Sequence, residues 1–340
     1  NDRLEGGGGN DTLYGGAGDD WLFGGDGDDY FVTQSGNDTV DGGAGIDTQR
    51  LLFGTAGANI EIVIASDYSA DAGGGVTGNA LDNVIHDEGP GNLYMDGAEG
   101  NDTLYGGNGS NYFSFSGAYG NDVVSGGGGM DWLLFGAAGA VNVDFATGAA
   151  TGGAGSVQFS GIEAVEGSLE DDHIVTGDGG VWVYANGGND TVIGGAGDDV
   201  IAGDAAFGHP SDEAGDDWLF GGAGRDELAG GDGADSFVFA SAGEADADLV
   251  QDFASGTDWL VFDDAFFGAI GPAGGFAADD PRFFAAAGAS AAQDAADRVI
   301  YDMTSGDLYY DPDGSGGAGA LIVATLDGAP AVAASDFVVV

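Results

Sequence analysis

The chain contains no cysteine and no lysine, and only five of its 340 residues are basic, all of them arginine. Without cysteine, neither disulfides nor thiolate zinc sites can stabilise the fold. The 58 acidic residues give a formal net charge of −53, so the chain would repel nucleic acid. No apolar run reaches the ~18 residues of a membrane span, and residues 1–6 show no signal peptide. The expected partner is therefore cationic, and a divalent metal fits best.

Glycine and apolar residues are what the chain has in abundance. Glycine supplies 71 of the 340 residues, and hydrophobic residues make up 43%. That apolar content is too high for permanent disorder, because a chain stays unfolded when high charge is combined with low hydrophobicity. We therefore expect the chain to fold once its negative charge is neutralised.

A nine-residue repeat dominates the sequence. Consecutive nonapeptides fill residues 6–50, beginning with GGGGNDTLY, GGAGDDWLF and GGDGDDYFV. The frame returns at 97–134, where Phe115 and Ser116 form a two-residue insertion, and it runs through 167–238 in one register. The shared pattern is G-G-x-G-x-D-x-U-x, in which U is apolar. It predicts a glycine turn followed by a short strand whose apolar residue points into the core.

This pattern resembles the calcium-binding nonapeptide repeat of the RTX family. The resemblance covers most of residues 1–238 and implies an all-β fold. That fold is a parallel β-roll, a right-handed solenoid of the β-helix type, with two nonapeptides in each coil of about 18 residues. The core is thin, because burial worth ~1.5–3 kcal/mol for one side chain per repeat cannot offset ~1–2 kcal/mol of entropy for every ordered residue. We expect bound calcium to supply the missing stability.

Residues 18 apart should lie above one another in such a roll. Carboxylates stacked at the ~4.8 Å strand spacing repel each other, so the stacks need cations between them. Carboxylate and carbonyl oxygens in a flexible arrangement suit Ca²⁺ better than Mg²⁺. The predicted columns are Asp2, Asp20 and Asp38; Asp11, Asp29 and Asp47; Asp199, Asp217 and Asp235; and Asp172 with Asp190.

The predicted calcium ligands are the aspartates at the sixth repeat position, which would hold roughly ten ions. Three turns should bind poorly or not at all, because Asn111 or Val181 replaces the aspartate, or because 203–211 keeps only the length of a repeat. The ligands predicted in the repeats are Asp11, Asp20, Asp29, Asp38, Asp47, Asp102, Asp122, Asp131, Asp172, Asp190, Asp199, Asp217, Asp226 and Asp235.

Two spacers interrupt the repeats but keep an alternation of apolar and polar residues. They lie at 51–76 and 135–166, and we interpret them as calcium-poor continuations of the solenoid. The expected organisation is three repeat blocks at 1–50, 77–134 and 167–238, the two spacers, and a C-terminal region at 239–340.

The C-terminal region resembles the domain that closes the roll in serralysin-type proteases and many RTX proteins. The resemblance rests on 248–262, 298–316 and 336–340, and it implies a β cap over the end of the solenoid. The last five residues, Asp-Phe-Val-Val-Val, are similar to the uncleaved signal of type I secretion substrates, which implies an ABC transporter as a partner. The same residues are also typical of a final strand. Asp311 and Asp313, in a D-x-D-G loop, could hold another calcium ion or form a plain turn.

Enzyme motifs are missing from the chain. It has no H-E-x-x-H, no G-x-S-x-G and no cysteine nucleophile. His86, His173 and His209 are scattered, as is typical of surface histidines. The chain begins within a repeat, so we expect it to be a fragment of a longer protein.

The leading hypothesis is a secreted, extracellular or cell-surface, calcium-dependent folding and secretion module, as in an S-layer or adhesion protein. The alternative is the non-catalytic C-terminal part of a secreted metalloprotease, lipase or alginate epimerase. Aromatic residues at the seventh repeat position should point outward, where they bind a glycan or another chain, or pack against the spacers. They are Trp21, Tyr30, Tyr112, Trp132, Trp182 and Trp218.

Overall fold

The computed structural model describes residues 1–66, 74–153, 155–204, 215–315 and 317–340. Nearly all the regular secondary structure of these residues is β-strand, as the repeats predict. The exceptions are the single-turn helix α1 (Asp264–Phe267) and a 3-10 turn at Ala334–Asp336.

The chain divides into two compact units. The first contains residues 1–139 and 148–166, and the second contains 140–147 and 167–340. The strands before residue 167 are β1 (Arg3–Gly8), β2 (Thr12–Ala17), β3 (Trp21–Asp26), β4 (Tyr30–Ser35), β5 (Thr39–Ala44), β6 (Thr48–Leu51), β7 (Gly54–Thr55), β8 (Ile62–Ala65), β9 (Gly74–Thr77), β10 (Val84–Asp87), β11 (Leu93–Asp96), β12 (Thr103–Tyr105), β13 (Tyr112–Ser116), β14 (Gly120–Ser125), β15 (Trp132–Ala137), β16 (Val141–Asp144), β17 (Ala149–Gly152), β18 (Gly155–Ser160) and β19 (Ala164–Glu166).

In the first unit, strands that are two apart along the chain pair in parallel. β2 pairs with β4 while β1 and β5 flank β3, so consecutive strands belong to different sheets, as in a β-roll. Leu13 lies opposite Phe31, at the predicted 18-residue spacing. In the second block Phe113 lies opposite Leu133, 20 residues on, because this coil contains the two-residue insertion of Phe115 and Ser116.

The spacers also carry strands of this roll. In the first spacer β8 pairs with β6 and β10, and β9 pairs with β7 and β11, all in parallel. In the second spacer β17 and β18 form an antiparallel hairpin, and β18 pairs in parallel with β14. The solenoid thus continues through segments that lack the nonapeptide.

The second unit also has two parallel stacks. In one, β16 is followed by β20, β22, β24, β26, β28 and β34. In the other, β21, β23, β25, β27 and β33 follow each other. The strands are β20 (His173–Val175), β21 (Trp182–Tyr184), β22 (Thr191–Ile193), β23 (Val200–Ala202), β24 (Trp218–Phe220), β25 (Glu227–Ala229), β26 (Ser236–Phe239), β27 (Asp248–Val250), β28 (Trp259–Phe262), β29 (Gly274–Gly275), β30 (Phe283–Ala286), β31 (Val299–Asp302), β32 (Asp307–Tyr310), β33 (Leu321–Leu326) and β34 (Phe337–Val339).

The register of the third block differs from the prediction. Thr191 lies opposite Trp218 and Val200 lies opposite Glu227, so one coil contains 27 residues rather than 18. β23 ends at Ala202 and β24 begins at Trp218, and residues 205–214 between them lie outside the described residues. The predicted column of Asp199, Asp217 and Asp235 is therefore wrong at Asp199, whereas Asp217 and Asp235 are neighbours as predicted.

The C-terminal region extends both stacks. β28 and β34 follow β26 in the same stack, so β34 belongs to the roll. In β34, Phe337 is fully buried opposite Leu260. β33 follows β27 and is joined to the antiparallel strands β32 and β31. Among the described residues, no helix is long and apolar enough to cross a membrane.

The core of each unit is the row of apolar residues at the eighth repeat position. All the predicted members are buried, with at most 4% of the side chain exposed, which confirms the inward direction of these strand residues. They are Leu13, Leu22, Phe31, Val40, Leu104, Phe113, Val124, Leu133, Val192, Ile201, Leu219, Leu228 and Phe237.

Candidate calcium sites

The sixth-position aspartates form hydrogen-bonded ladders along the roll. In the first block, the backbone N–H of Asp11 donates to Oδ1 of Asp29 (2.7 Å), and the N–H of Asp29 donates to Oδ1 of Asp47 (2.8 Å). Asp20 and Asp38 are joined in the same way at 2.9 Å. One carboxylate oxygen of each residue is thus used to hold the preceding coil in register.

In the second unit the longest ladder follows the observed register. The N–H of Asp172 donates to Asp190 (2.7 Å), that of Asp190 to Asp217 (2.8 Å), and that of Asp217 to Asp235 (3.0 Å). Asp199 belongs to the other stack, where its N–H donates to Asp226 at 2.8 Å.

The second carboxylate oxygen of most ladder residues is buried without a hydrogen-bond partner. A buried carboxylate oxygen without a partner is costly unless a cation or a donor faces it. The predicted ligands whose Oδ2 is in this state are Asp11, Asp20, Asp29, Asp47, Asp102, Asp131, Asp190, Asp217, Asp226 and Asp235.

The glycine at the first repeat position leaves a hollow beside this oxygen. A Cβ atom added to Gly6 would lie 2.6 Å from Oδ2 of Asp11 and 2.7 Å from the carbonyl oxygen of Gly24 in the next coil. The same pair of oxygens, from Asp29 and Gly42, faces Gly24. A side chain would therefore fill a hollow bounded by carboxylate and carbonyl oxygens, which are the ligands that Ca²⁺ prefers.

Carbonyl oxygens are a necessary part of this donor set. Among the described residues, no three His, Cys, Asp or Glu side chains converge as a metal cluster would require. The hollows beside Gly6 and Gly24 offer a cation one carboxylate oxygen together with one carbonyl oxygen of the turn backbone. The ligand oxygens that the hollows do offer fit Ca²⁺, whose coordination is flexible.

Burial raises the pKa of the ladder carboxyls. It raises the pKa of Asp190 and of Asp217 from 3.8 to about 8 and that of Asp235 to about 7, and the neighbouring carboxylates add to the rise. In the first unit, burial raises the pKa of Asp102 and of Asp122 to about 7. Without a cation, the folded chain thus favours the protonated form of these groups near neutral pH.

The pKa values of the other ladder aspartates are also raised, and burial is again the main cause. Burial raises the pKa of Asp131 to about 6. Burial raises the pKa of Asp226 to about 6, and the nearby Asp199 carboxylate adds to the rise. Burial and repulsion from the Asp226 carboxylate raise the pKa of Asp248 to about 9. Burial also raises the pKa of Asp38, Asp47, Asp172 and Asp199.

Two turns satisfy the carboxylate from within the chain. Both oxygens of Asp172 accept hydrogen bonds from Ser168, Oδ2 from its N–H (2.6 Å) and Oδ1 from its hydroxyl (2.9 Å). Oδ2 of Asp199 accepts from the hydroxyl of Thr176 (2.9 Å). Because Ser168 and Thr176 stand where the motif has glycine, these hydroxyls partly replace a cation.

The spacers contain ladder residues that the motif did not reveal. The N–H of Asp47 donates to Oε2 of Glu61 (2.8 Å), and the N–H of Asp131 donates to Oε2 of Glu163 (3.0 Å). Each glutamate directly precedes a spacer strand, but no glycine motif surrounds it. The ladder position was therefore not recognisable from the repeat alone.

Two further ladder aspartates lie beyond the repeats. Asp248 accepts from the N–H of Asp226 (3.1 Å), and Asp258 accepts from that of Asp235 (3.2 Å). Both are buried. The only sequence signal is an aspartate immediately before or at the start of an apolar strand, as in Asp248-Leu249-Val250.

The other predicted positions take different roles. Asn111 keeps the ladder without a charge, because its Oδ1 accepts from Leu93 N–H (3.1 Å). Val181 offers no acceptor, although its N–H donates to Asp199. Asp311 is buried, and its carboxylate accepts a hydrogen bond from the N–H of Asp313. The carboxylate of Asp313 accepts from the N–H of Gly317 in the same loop.

Comparison with known proteins supports this chemistry. The RTX calcium-binding nonapeptide repeat family matches residues 1–31, 14–49, 94–117, 114–138, 166–201 and 211–240. These segments therefore contain RTX nonapeptide repeats, which bind calcium, and the chain folds as a parallel β-roll.

A solved structure also shows similarity to the chain. It is the extracellular lipase LipA from Serratia marcescens, with 15% sequence identity and a TM-score of 0.19. The match covers 83% of this chain and 45% of the lipase chain, so the chain spans less than half the length of that protein. None of the curated proteins matches the chain.

Proposed function

We propose that the chain is a calcium-dependent folding and secretion module that forms a structural part of an extracellular or cell-surface protein. The observation that carries the proposal is the set of buried Oδ2 atoms without partners, five of which lie beside a glycine hollow that a carbonyl oxygen also lines. These five belong to Asp11, Asp29, Asp47, Asp131 and Asp217. Roughly ten Ca²⁺ ions in these hollows would neutralise the ladders and join successive coils.

The dependence of folding on calcium gives a reason why the chain would be secreted before it folds. Where calcium is scarce, the net charge of −53 opposes the compact state, and an expanded chain can pass through a narrow transporter. Outside the cell, calcium at about millimolar concentration is in the range of extracellular sites. A type I ABC transporter is the proposed partner.

The C-terminal strand supports this order of events. Phe337 and Val339 are buried in β34, and the N–H of Val340 donates to Phe262 at 2.9 Å. A signal in these residues can be read only while the chain is unfolded. Residues 239–340 would then act first as the signal and afterwards as the cap on which the repeats fold.

Circular dichroism of the full chain tests the folding proposal. We expect an unfolded spectrum in calcium-free buffer at pH 7.5 and a β spectrum in millimolar calcium, with a cooperative midpoint. Equilibrium dialysis should find roughly ten bound ions. A calcium-free chain that is as folded as the calcium-loaded one would refute the proposal.

Secretion is tested separately with cells that express a type I transporter. The full chain should reach the medium, whereas a chain without residues 336–340 should stay inside. The truncated chain is also refolded in calcium after purification, so a folding defect is distinguished from a lost signal. Equal export of both chains would contradict the assignment of the signal.

A further inference from the structure

A row of outward side chains crosses one sheet of the second unit. The register places Thr191, Trp218, Ser236 and Trp259 side by side on β22, β24, β26 and β28. Trp218 is 37% exposed and Trp259 is 41% exposed, so both indoles are accessible to a ligand on the same sheet face. We call these four residues the tryptophan row.

The spacing of the two indoles is set by the sheet. One strand lies between them, so they are two strand spacings apart, or roughly 9.6 Å. A serine occupies the intervening position, and its small side chain leaves the space between the indoles open. The row is thus a pair of flat apolar surfaces separated by a hydroxyl group, held on paired strands rather than on a loop.

We propose that the tryptophan row binds a neutral, extended β-1,4-linked polysaccharide, with alternate sugars stacked on Trp218 and Trp259. In such a chain successive sugars are turned over, so every second sugar presents the same face at about the indole spacing. The C–H face of a pyranose carries slight positive charge and packs on the negative face of an indole. The hydroxyls of Ser236 and Thr191 can donate to or accept from the sugar hydroxyls beside them.

The charge of the surroundings selects a neutral polymer. Trp218 directly follows the ladder residue Asp217, and Trp259 directly follows Asp258. The chain as a whole carries −53, so a polyanionic glycan would be repelled. Since the ladder also joins the coils that carry the row, the two indoles acquire their spacing only in the folded chain.

Length dependence gives the sharpest test. A disaccharide can cover one indole, while a trisaccharide is the shortest chain that places sugars on both. Calorimetric titration of the full, calcium-loaded chain with cello-oligosaccharides should show at least a tenfold gain in affinity from cellobiose to cellotriose, and little gain beyond. Similar affinities for the two sugars would overturn the proposal.

Alanine variants test whether the tryptophan row is the binding site. Trp218→Ala and Trp259→Ala should each abolish the gain between cellobiose and cellotriose. Trp182→Ala is the matched control, because Trp182 is 42% exposed in the same unit but lies in a row with Val200 and Glu227. All variants are first shown by circular dichroism to fold at the same calcium concentration, so the outcome does not depend on the proposed secretion role.

The same experiments distinguish a neutral polysaccharide from two other ligands of the tryptophan row, an acidic glycan and a second copy of the chain. Tighter binding of an alginate hexasaccharide than of cellohexaose would overturn the charge argument. Self-association of the chain that Trp218→Ala removes, with no binding of cellohexaose, would identify a protein contact instead and refute the proposal. An equal effect of Trp182→Ala would also refute it.

Discussion

Protons and calcium should compete for the aspartate ladders, and the pH dependence of folding follows from this competition. The folded pKa of Asp217 is about 8, against 3.8 for the ordinary group. A group whose pKa is raised by folding stabilises the folded state below its ordinary pKa. It loses that contribution as the pH rises through the folded pKa. The calcium-free roll should therefore be less stable at pH 8 than at pH 5.

The size of this effect is large compared with the stability of a domain. Asp217 is 2% exposed, so solvent screens the charge little. The roughly three pH units between its ordinary pKa and pH 7, at about 1.4 kcal/mol each, give about 4 kcal/mol. Asp190 has a similar pKa. Two such groups approach the about 5–15 kcal/mol that holds an ordinary domain together.

The assay is far-ultraviolet circular dichroism of the chain between pH 5 and pH 8, after calcium has been removed on a chelating resin. We expect β-structure to be lost as the pH rises in calcium-free buffer. With calcium present the loss should disappear, because bound cations rather than protons then neutralise the ladder carboxylates of the folded chain. Sedimentation at each pH checks for association as the pH approaches the pI of about 4.1.

A substitution isolates the carboxylate. Asp217→Asn keeps the oxygen that accepts from Asp190 but cannot ionise, so it should stabilise the calcium-free chain at pH 7 by up to about 4 kcal/mol. Asp216→Asn is the matched control on the next residue, where the exposed carboxylate accepts from the N–H of Ala234. If the calcium-free chain is equally folded at pH 5 and pH 8, or if both variants behave alike, the reasoning is wrong.

Three further pairs of substitutions test the ladders. Asp217→Ala should raise the calcium midpoint more than Asp38→Ala, because Asp217 lies within a long ladder and Asp38 ends a short one; equal midpoints in calcium titrations would contradict this. Gly24→Ala should lose about one ion in equilibrium dialysis, since its Cβ would fill a hollow, whereas Gly8→Ala, with nothing near its Cβ, should lose none. Glu61→Ala should cost about 1–3 kcal/mol in urea unfolding with calcium, because it leaves the N–H of Asp47 unpaired, and Glu61→Gln should restore most of the loss.

The repeat predicted most of the fold because each nonapeptide determines both a turn and an inward residue. Leu13, Phe31 and their counterparts are buried as expected, since a two-residue alternation fixes the face of a strand. The ladder of Asp11, Asp29 and Asp47 also follows from the 18-residue coil. Local pattern and long-range pairing agree in this block, so counting along the sequence is enough.

The features that were missed depend on side-chain reach rather than on the repeat. Glu61 and Glu163 serve the spacer coils with one more methylene than aspartate, and no surrounding motif marks them. The hydroxyls of Ser168 and Thr176 satisfy carboxylates that were predicted to need a metal. The roles of these glutamates and hydroxyls can be recognised only when the register of the coils is known.

The position of Asp199 outside its predicted column leads to a last prediction, because the long coil contains the nine residues 203–211, which keep the length of a repeat but not its motif. In the observed register Trp218 lies opposite Thr191. Replacing 203–211 by a copy of the repeat at 194–202 should add a strand, restore 18-residue coils and bring Trp218 opposite Val200. Trp182 would then lie two coils before Trp218 and extend the tryptophan row to three indoles. In this variant, cellopentaose should bind at least tenfold more tightly than cellotriose, and Trp182→Ala should remove the gain. Deleting 203–211 is the control, since it shortens the long coil to 18 residues and leaves Trp218 opposite Thr191. If Trp182→Ala stays neutral in the repeat-restored chain, the stretch at 203–211 does not determine the register and the explanation of the 27-residue coil fails.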